Sequence, residues 1–394
     1  MKCLSVRISY KLIKGGTLML KNKIKSQKAL SRRKFVKKAL LATGAAAIGS
    51  AGLAAPAITA ERIEVIMVMT WPKNLPGLGT GAARFAKRVG ELSEGRINIT
   101  LFAAGERVGA FDVFDHVAKG DAQMYHGAEY YFTGKEKSFG YFTAVPFGLT
   151  YTEFNAWMRF AGGQQLWDEL SGNFGLKGFM CGNTGVQMGG WFRKEMKSPA
   201  DFKGLKMRIP GLGGQVMTKL GTSVIAVPGG QIYEQLMAGT IDATEWVGPW
   251  NDEFLKFYEA AKYYYYPGMH EPGSMLGLVC NKSWLSKLSK TDQAIIEAAC
   301  TVENEVMMSE FNANNGFALQ RLVNDHGVKV VEFNDRIYDA FGKASEEVFA
   351  ETAASSPIAK RVTDSFLKAR KELGAWNKLS DTAYVAKRNK VLGL

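Results

Sequence analysis

One arginine, Arg208, ends the strand-like run Gly204-Leu205-Lys206-Met207-Arg208-Ile209-Pro210-Gly211. Further along, Gly239-Thr240-Ile241-Asp242-Ala243-Thr244-Glu245-Trp246-Val247-Gly248-Pro249-Trp250 sets Glu245 against apolar neighbours. Upstream, Gln187 is the polar step in the glycine-rich turn Gly182–Gly190. Polar groups inside such segments are costly to bury unless something pairs them. An arginine offers a planar fork of donors that matches a carboxylate. The oxygens of Glu245 and Gln187 suit a hard cation. Together the three read as a site for a small organic anion, with a metal ion as its second component. Taken alone, Arg208 reads equally well as an ion pair with a neighbouring helix, and its company decides for a site.

The elements that must position these residues alternate. Residues 62–70 form an apolar strand ended by Trp71-Pro72, and 80–94 place Ala83, Phe85, Ala86, Val89 and Leu92 at helical spacing. Strands at 97–102 and 123–126 flank a helix at 110–119. An aromatic-rich helix spans 151–172, and 178–190 reads as strand and turn. Ser198-Pro199 opens a short helix with serine as N-cap and proline at the first helical position. Strands at 204–210, 224–227 and 241–246 then alternate with helices at 213–220 and 230–238. The four tyrosines Tyr263–Tyr266 read as a strand or hinge segment, and 275–281 is apolar again. Long helices follow at 291–325, 335–354 and 357–376. Such alternation predicts an α/β fold with parallel strands. Chain crossings between two domains are expected near 183–187 and 246–250.

Charge is unevenly spread. Residues 1–60 hold thirteen of the fifty Lys/Arg and no acid, leaving 37 basic against 37 acidic residues in 61–394. The formal +13 therefore belongs to the leader, and the basic pI is no argument for a nucleic-acid partner. The leader has the order of an export signal: a basic run through Ser31-Arg32-Arg33-Lys34-Phe35-Val36-Lys37, an Ala/Gly-rich segment, then small residues. Its paired arginines resemble a twin-arginine signal, with cleavage after Ala57 or Ala60 and Met19 as an alternative start. The expected location is the periplasm. No apolar run in 61–394 is long enough to span a bilayer.

Other motifs carry less. Gly77-Leu78-Gly79-Thr80-Gly81-Ala82 imitates a dinucleotide fingerprint, but the strand-to-helix turn is too long and no acid follows at the right distance. A glycine-rich turn at the mouth of a cleft is the better reading. His116, His126, His270 and His326 share no metal-ligand spacing. His270 beside Glu271 reads either as an acid/base pair or as a polar pair near a ligand. Cys181, Cys280 and Cys300 are an odd set, best read as buried thiols, with a Cys181–Cys280 bridge as the alternative. No nucleophile elbow, flavin, haem or iron–sulfur pattern is present, which weighs against the rival reading as an exported cofactor-dependent oxidoreductase.

The chain resembles the solute-binding receptors of tripartite ATP-independent periplasmic (TRAP) transporters, the DctP-type family. The resemblance covers 61–394 and is carried by Trp191-Phe192-Arg193-Lys194-Glu195, Asp201–Arg208, Ala238–Ala243 and Glu245-Trp246-Val247-Gly248-Pro249. The last of these, with Tyr263–Pro267 and Gly182–Gly190, resembles the branch that binds 2-oxo acids such as pyruvate, or lactate. The resemblance implies a two-lobed α/β periplasmic binding-protein fold, with a ligand cleft between the domains and a long connecting helix. It implies lobe I at 61–185 plus about 249–288, lobe II at 186–248 plus about 289–356, and a C-terminal helical extension at 357–394. Arg208 would pair with the ligand carboxylate, with Asn183, Gln187, Trp246 and Tyr130 or Tyr131 as further contacts. A sodium or calcium ion would be held by the Gln187 and Glu245 side chains, the Trp246 carbonyl and Glu271. Implied partners are a small carboxylate, the transporter's membrane subunits, and a second copy joined through the C-terminal helices. The implied role is capture rather than catalysis, either for a permease or as a sensor module.

Overall fold

The computed structural model describes residues 61–394, so the expected export signal lies outside the described residues. Eleven strands build two sheets among the described residues: β1 (Ile63–Met69), β2 (Ile97–Phe102), β3 (Met124–Gly127), β4 (Leu176–Asn183), β5 (Gly190–Phe192), β6 (Lys206–Arg208), β7 (Ser223–Ile225), β8 (Ala243–Thr244), β9 (Tyr263–Tyr266), β10 (Met275–Asn281) and β11 (Lys329–Glu332). The first sheet runs β2-β1-β3-β10-β4 and the second β11-β9-β5-β8-β6-β7. β1 is parallel to β2 and β3, while β10 enters antiparallel between β3 and β4. In the second sheet β6 lies between β7 and β8, parallel to both.

Side-chain alternation builds a core on each face of these sheets. In β1, Val65, Met67 and Met69 join one hydrophobic cluster, and Val68 joins the other. In the second sheet Trp191 and Tyr264 stack at 4.0 Å in the first cluster. Their chain neighbours Phe192 and Tyr265 enter the other cluster beside Phe333. Both clusters therefore continue from one sheet to the other.

The chain passes from β4 in the first sheet to β5 in the second through 184–189, as expected. The second passage is not at 246–250. The helix Pro249–Phe254 leads on to β9, which pairs with β5 and β11 in the second sheet. The return to the first sheet is made by 267–274, between β9 and β10. The two passages lie side by side, with Thr184 N–H to Ser274 O at 3.1 Å, Gln187 N–H to Glu271 O at 3.0 Å and Gly268 N–H to Gln187 O at 3.0 Å. Paired crossing segments of this kind make a hinge.

The helix Lys290–Asn324 has 35 residues and a length of about 50 Å at 1.5 Å per residue. Ser289 caps it, and Ile296, Ala299, Cys300, Glu303, Met307 and Phe311 form a buried stripe at helical spacing. It packs on β4, on the helix Leu78–Leu92 and on Pro249–Phe254. The aromatic helix expected at 151–172 is broken in two, Tyr151–Phe160 and Gly163–Gly172, because Gly162 turns at φ +89°. The helix Pro357–Leu379 covers both pieces, with Trp157 Nε1–H donating to Ser365 Oγ at 3.1 Å. Beyond it, Asp381–Leu392 is helical and buries no side chain. Cys181, Cys280 and Cys300 are free and buried, so the alternative Cys181–Cys280 bridge is absent. Among the described residues no helix is long and apolar enough to cross a membrane.

Candidate functional site

Parallel strand ends carry the two charged residues. Arg208 is the last residue of β6, and its register partner in β8 is Thr244, the residue before Glu245. Glu245 N–H donates to Arg208 O at 3.2 Å. Two crossovers, through Gly211–Lys219 and Gly229–Met237, thus bring residues distant in sequence to one edge of the sheet. Ligands in open α/β sheets bind beyond such carboxyl ends. The hinge pair supplies the rest: Gln187 from one passage, and His270, Glu271 and Ser274 from the other.

Arg208 and Glu245 are fully buried and form a close ion pair through Nη1 and Oε1. The guanidinium also donates from Nε to Val227 O at 3.2 Å, from Nη1 to Glu245 O at 3.4 Å and from Nη2 to the Tyr131 hydroxyl at 3.4 Å. Its carbon lies 5.0 Å over the Trp246 ring, a cation–π geometry. Burial alone would weaken the charged form of Arg208, but the Glu245 carboxylate outweighs it and the pKa rises. The neighbouring-helix ion pair considered from sequence is thus replaced by a pair between two candidate site residues.

His270 Nε2 stands 3.1 Å from the other Glu245 oxygen. Burial opposes its protonation, yet the contact with Glu245 leaves its pKa raised. Glu271 Oε2 accepts from Gln187 Nε2 at 2.7 Å and from the Ser274 hydroxyl. Burial, reinforced by the Glu245 charge, pushes the Glu271 carboxyl up to about 7. Atoms of Glu245, His270 and Glu271 lie within 4.8 Å of one another. Gln187 Nε2 also donates to Thr184 Oγ1 at 2.9 Å, while its Oε1 is buried with no partner. An orphaned acceptor beside two buried carboxyls is a defect that a cation would repair. Apart from the His270 nitrogen, which Glu245 already engages, the donors are oxygens, which fits a hard ion such as sodium or calcium.

The remaining candidates take their places around this cluster. Asn183 ends β4, and its side-chain oxygen accepts from Gly185 N–H at 2.8 Å. Tyr130 and Tyr131 meet edge to face at 4.7 Å. With Trp71, Leu78, Trp246 and Val247 they wall a cavity of about 10 Å³, room for one water. Gly211, at the start of the helix after β6, comes close to Tyr130: a Cβ there would lie 3.0 Å from Tyr130 Cβ.

A family model described as bacterial extracellular solute-binding protein, family 7 (DctP), matches residues 67–356. The chain belongs to this family. A family-7 member is a binding protein, not an enzyme. A monocarboxylate 2-oxoacid-binding periplasmic protein of Nostoc sp. is 44% identical over 318 residues, 81% of this chain and 87% of that one. Among solved structures, a TRAP solute-binding protein of Pseudoalteromonas atlantica with bound sodium and pyruvate is 38% identical, with a TM-score of 0.81 over 83% of this chain and 99% of that one. One of Colwellia psychrerythraea with bound calcium and pyruvate is 37% identical, with a TM-score of 0.81 over 83% and 100%. One of Bordetella bronchiseptica, with co-purified calcium and picolinate, is 35% identical, with a TM-score of 0.83 over 84% and 99%.

Sequence reasoning missed several residues of this cluster. His270 was weighed only against its neighbour Glu271, whereas its partner is Glu245, 25 residues earlier. Trp71 was read as a strand terminator, yet it stands 6.4 Å from Trp246 in the wall. A strand end was the available signal. In the Gly77–Ala82 motif, Gly77 and Gly81 allow close approach to Phe311, Met307 and Glu303 of the long helix.

Proposed function

We propose that this protein captures a small monocarboxylate with an oxygen on C2, a 2-oxo acid such as pyruvate, or lactate, together with sodium or calcium. The observation that carries the reading is the meeting of the Arg208 fork with the Glu245, Glu271 and Gln187 oxygens at the hinge. Arg208 clamps the ligand carboxylate with the Nη2 edge that faces Tyr131. Asn183, Gln187, Tyr130, Tyr131 and Trp246 surround the acid. Gln187, Glu245, Glu271 and the Trp246 carbonyl hold the cation, whose charge offsets the two carboxylates. The pyruvate-bound relatives support the ligand class, and their sodium and calcium support the ion.

The two lobes follow the two sheets, with 61–185 and 267 to about 288 in the first and 186–266 with about 289–356 in the second. The protein is exported by a twin-arginine signal in 1–60 and hands its ligand to TRAP membrane subunits in the periplasm. The exposed Trp376, Leu379, Tyr384, Val391 and Leu392 of the C-terminal helices support pairing with a second copy. Thermal denaturation of EDTA-dialysed protein against pyruvate, lactate and longer 2-oxo acids, with and without each cation, tests the site. A ligand at a hundred times its Kd adds about 2.7 kcal/mol, so a clear upward shift that needs both acid and cation is expected. No shift with any carboxylate would overturn the reading.

A further inference from the structure

Asn251 belongs to no motif, yet it is fully buried at the edge of the site. It lies on the helix Pro249–Phe254, between strands β8 and β9 of the second sheet. Its side-chain oxygen accepts from Trp246 Nε1–H at 3.1 Å. Its amide nitrogen donates to Pro76 O at 2.7 Å. Pro76 lies between β1 and β2 of the first sheet, in the turn that carries Trp71 and Leu78 into the cavity wall. One carboxamide therefore bonds at once to a ring held by the second sheet and to a turn held by the first.

The ring it grips is central. Trp246 underlies the Arg208 guanidinium, stands edge-on to Trp71 and fits so tightly against Gly229 that a Cβ there would lie 2.3 Å from it. The neighbouring Asp252 holds the same segment by its backbone, accepting from Val247 N–H and Gly248 N–H at 3.2 Å each. Asp252 is anchored in turn by Trp191 Nε1–H at 2.9 Å and the Tyr264 hydroxyl at 2.7 Å, all within the second sheet's surroundings. Asp252 thus fixes the Glu245–Gly248 turn to its own sheet, whereas Asn251 reaches across to the other.

We infer that Asn251 is a positioning residue for ligand capture, a latch that joins the Trp246 ring to the Pro76 turn when the two sheets close on the cleft. The inference rests on the cleft being the ligand site. Closure requires the two buried polar partners to meet a group with both a donor and an acceptor, and the Asn251 carboxamide supplies one of each. An apolar side chain of the same size would leave the indole N–H unpaired.

Two variants separate the bonds. Asn251→Asp, studied at a pH where its carboxyl is ionised, keeps the acceptor for Trp246 but loses the donor to Pro76, and Asn251→Leu loses both. Each is made in the full chain, with spin labels at Lys119 and Thr240, both exposed, on a Cys3→Ser background. Distances between the labels are measured without ligand and with pyruvate plus calcium. Pyruvate release is followed by tryptophan fluorescence. The expected result is a broader, longer distance distribution in Asn251→Asp, and release about tenfold faster, since one lost hydrogen bond is worth about that factor. Asn251→Leu should lie further in the same direction. Unchanged distances in both variants, whatever happens to the melting temperature, would reduce Asn251 to a structural residue and overturn the latch. If the unsubstituted protein fails to bind pyruvate, the proposed function falls, and the ligand-free distances still decide the latch.

Discussion

Arg208→Met isolates the ion pair at the heart of the site. The substitution removes the donors to Val227, Glu245 and Tyr131 and leaves the fully buried Glu245 with His270 as its remaining partner there. Breaking one half of a buried ion pair costs roughly 3–5 kcal/mol. For a chain of this size that corresponds to a melting temperature lower by about 4–7 °C. Adding Glu245→Gln removes the orphaned charge, and replacing both members of a buried pair is often close to neutral, so at least half of the loss should return. Ligand capture should not return, because the fork for the carboxylate is gone. Calorimetric melting of the wild type, both single variants and the double variant in EDTA at low salt reads the first effect. Titration with pyruvate and calcium reads the second. The reasoning is refuted if Arg208→Met melts within about 2 °C of wild type, or if the double variant melts as low as the single one.

Gly211 is held at φ +63° with Tyr130 across the cleft, so Gly211→Val should weaken pyruvate affinity at least tenfold, through backbone strain and a blocked closure. Unaltered affinity by titration would show that this contact does not form on closing. Glu129 is fully buried, accepts from Tyr125 and Trp167, and is pushed by burial up to about 7. Its unfolded carboxyl titrates near 4.3, so the folded state holds a proton that the unfolded chain has released. Its contribution is therefore present at low pH and lost as pH rises toward 7, at up to about 1.4 kcal/mol per pH unit. Asp252 and Glu271, also near 7, share that window, so Glu129→Gln should remove one proton's share of the slope. Denaturation midpoints between about pH 5 and 8 that slope equally in variant and wild type would contradict this.

Much was legible because it is local. The strand expected at 62–70 and the long helix expected at 291–325 follow from hydrophobic period, and the structure has them at Ile63–Met69 and Lys290–Asn324. Arg208, Glu245 and Gln187 stood out because charged and amide groups inside apolar runs need partners, and each indeed lies buried at the hinge or at a strand end. The helix at 151–172 was misjudged because a single glycine at positive φ outweighs continuous hydrophobic spacing. The second crossing was misplaced because strand order is non-local: nothing in 246–250 tells that β9 pairs with β5 rather than returning to the first sheet.

The sequence by itself determined the residue types of the site, since an arginine fork and hard oxygens keep their chemistry wherever they fold. It also determined the alternation that makes an α/β chain, because side-chain period is a property of each segment. Only the tertiary structure decided the partnerships. The parallel register of β6 and β8 sets Arg208 beside Glu245, and the hinge turns His270 onto Glu245 rather than Glu271. The helix Pro249–Phe254 aims Asn251 at both Trp246 and Pro76. These contacts join residues far apart in the chain, and their geometry comes from packing two sheets around two shared cores.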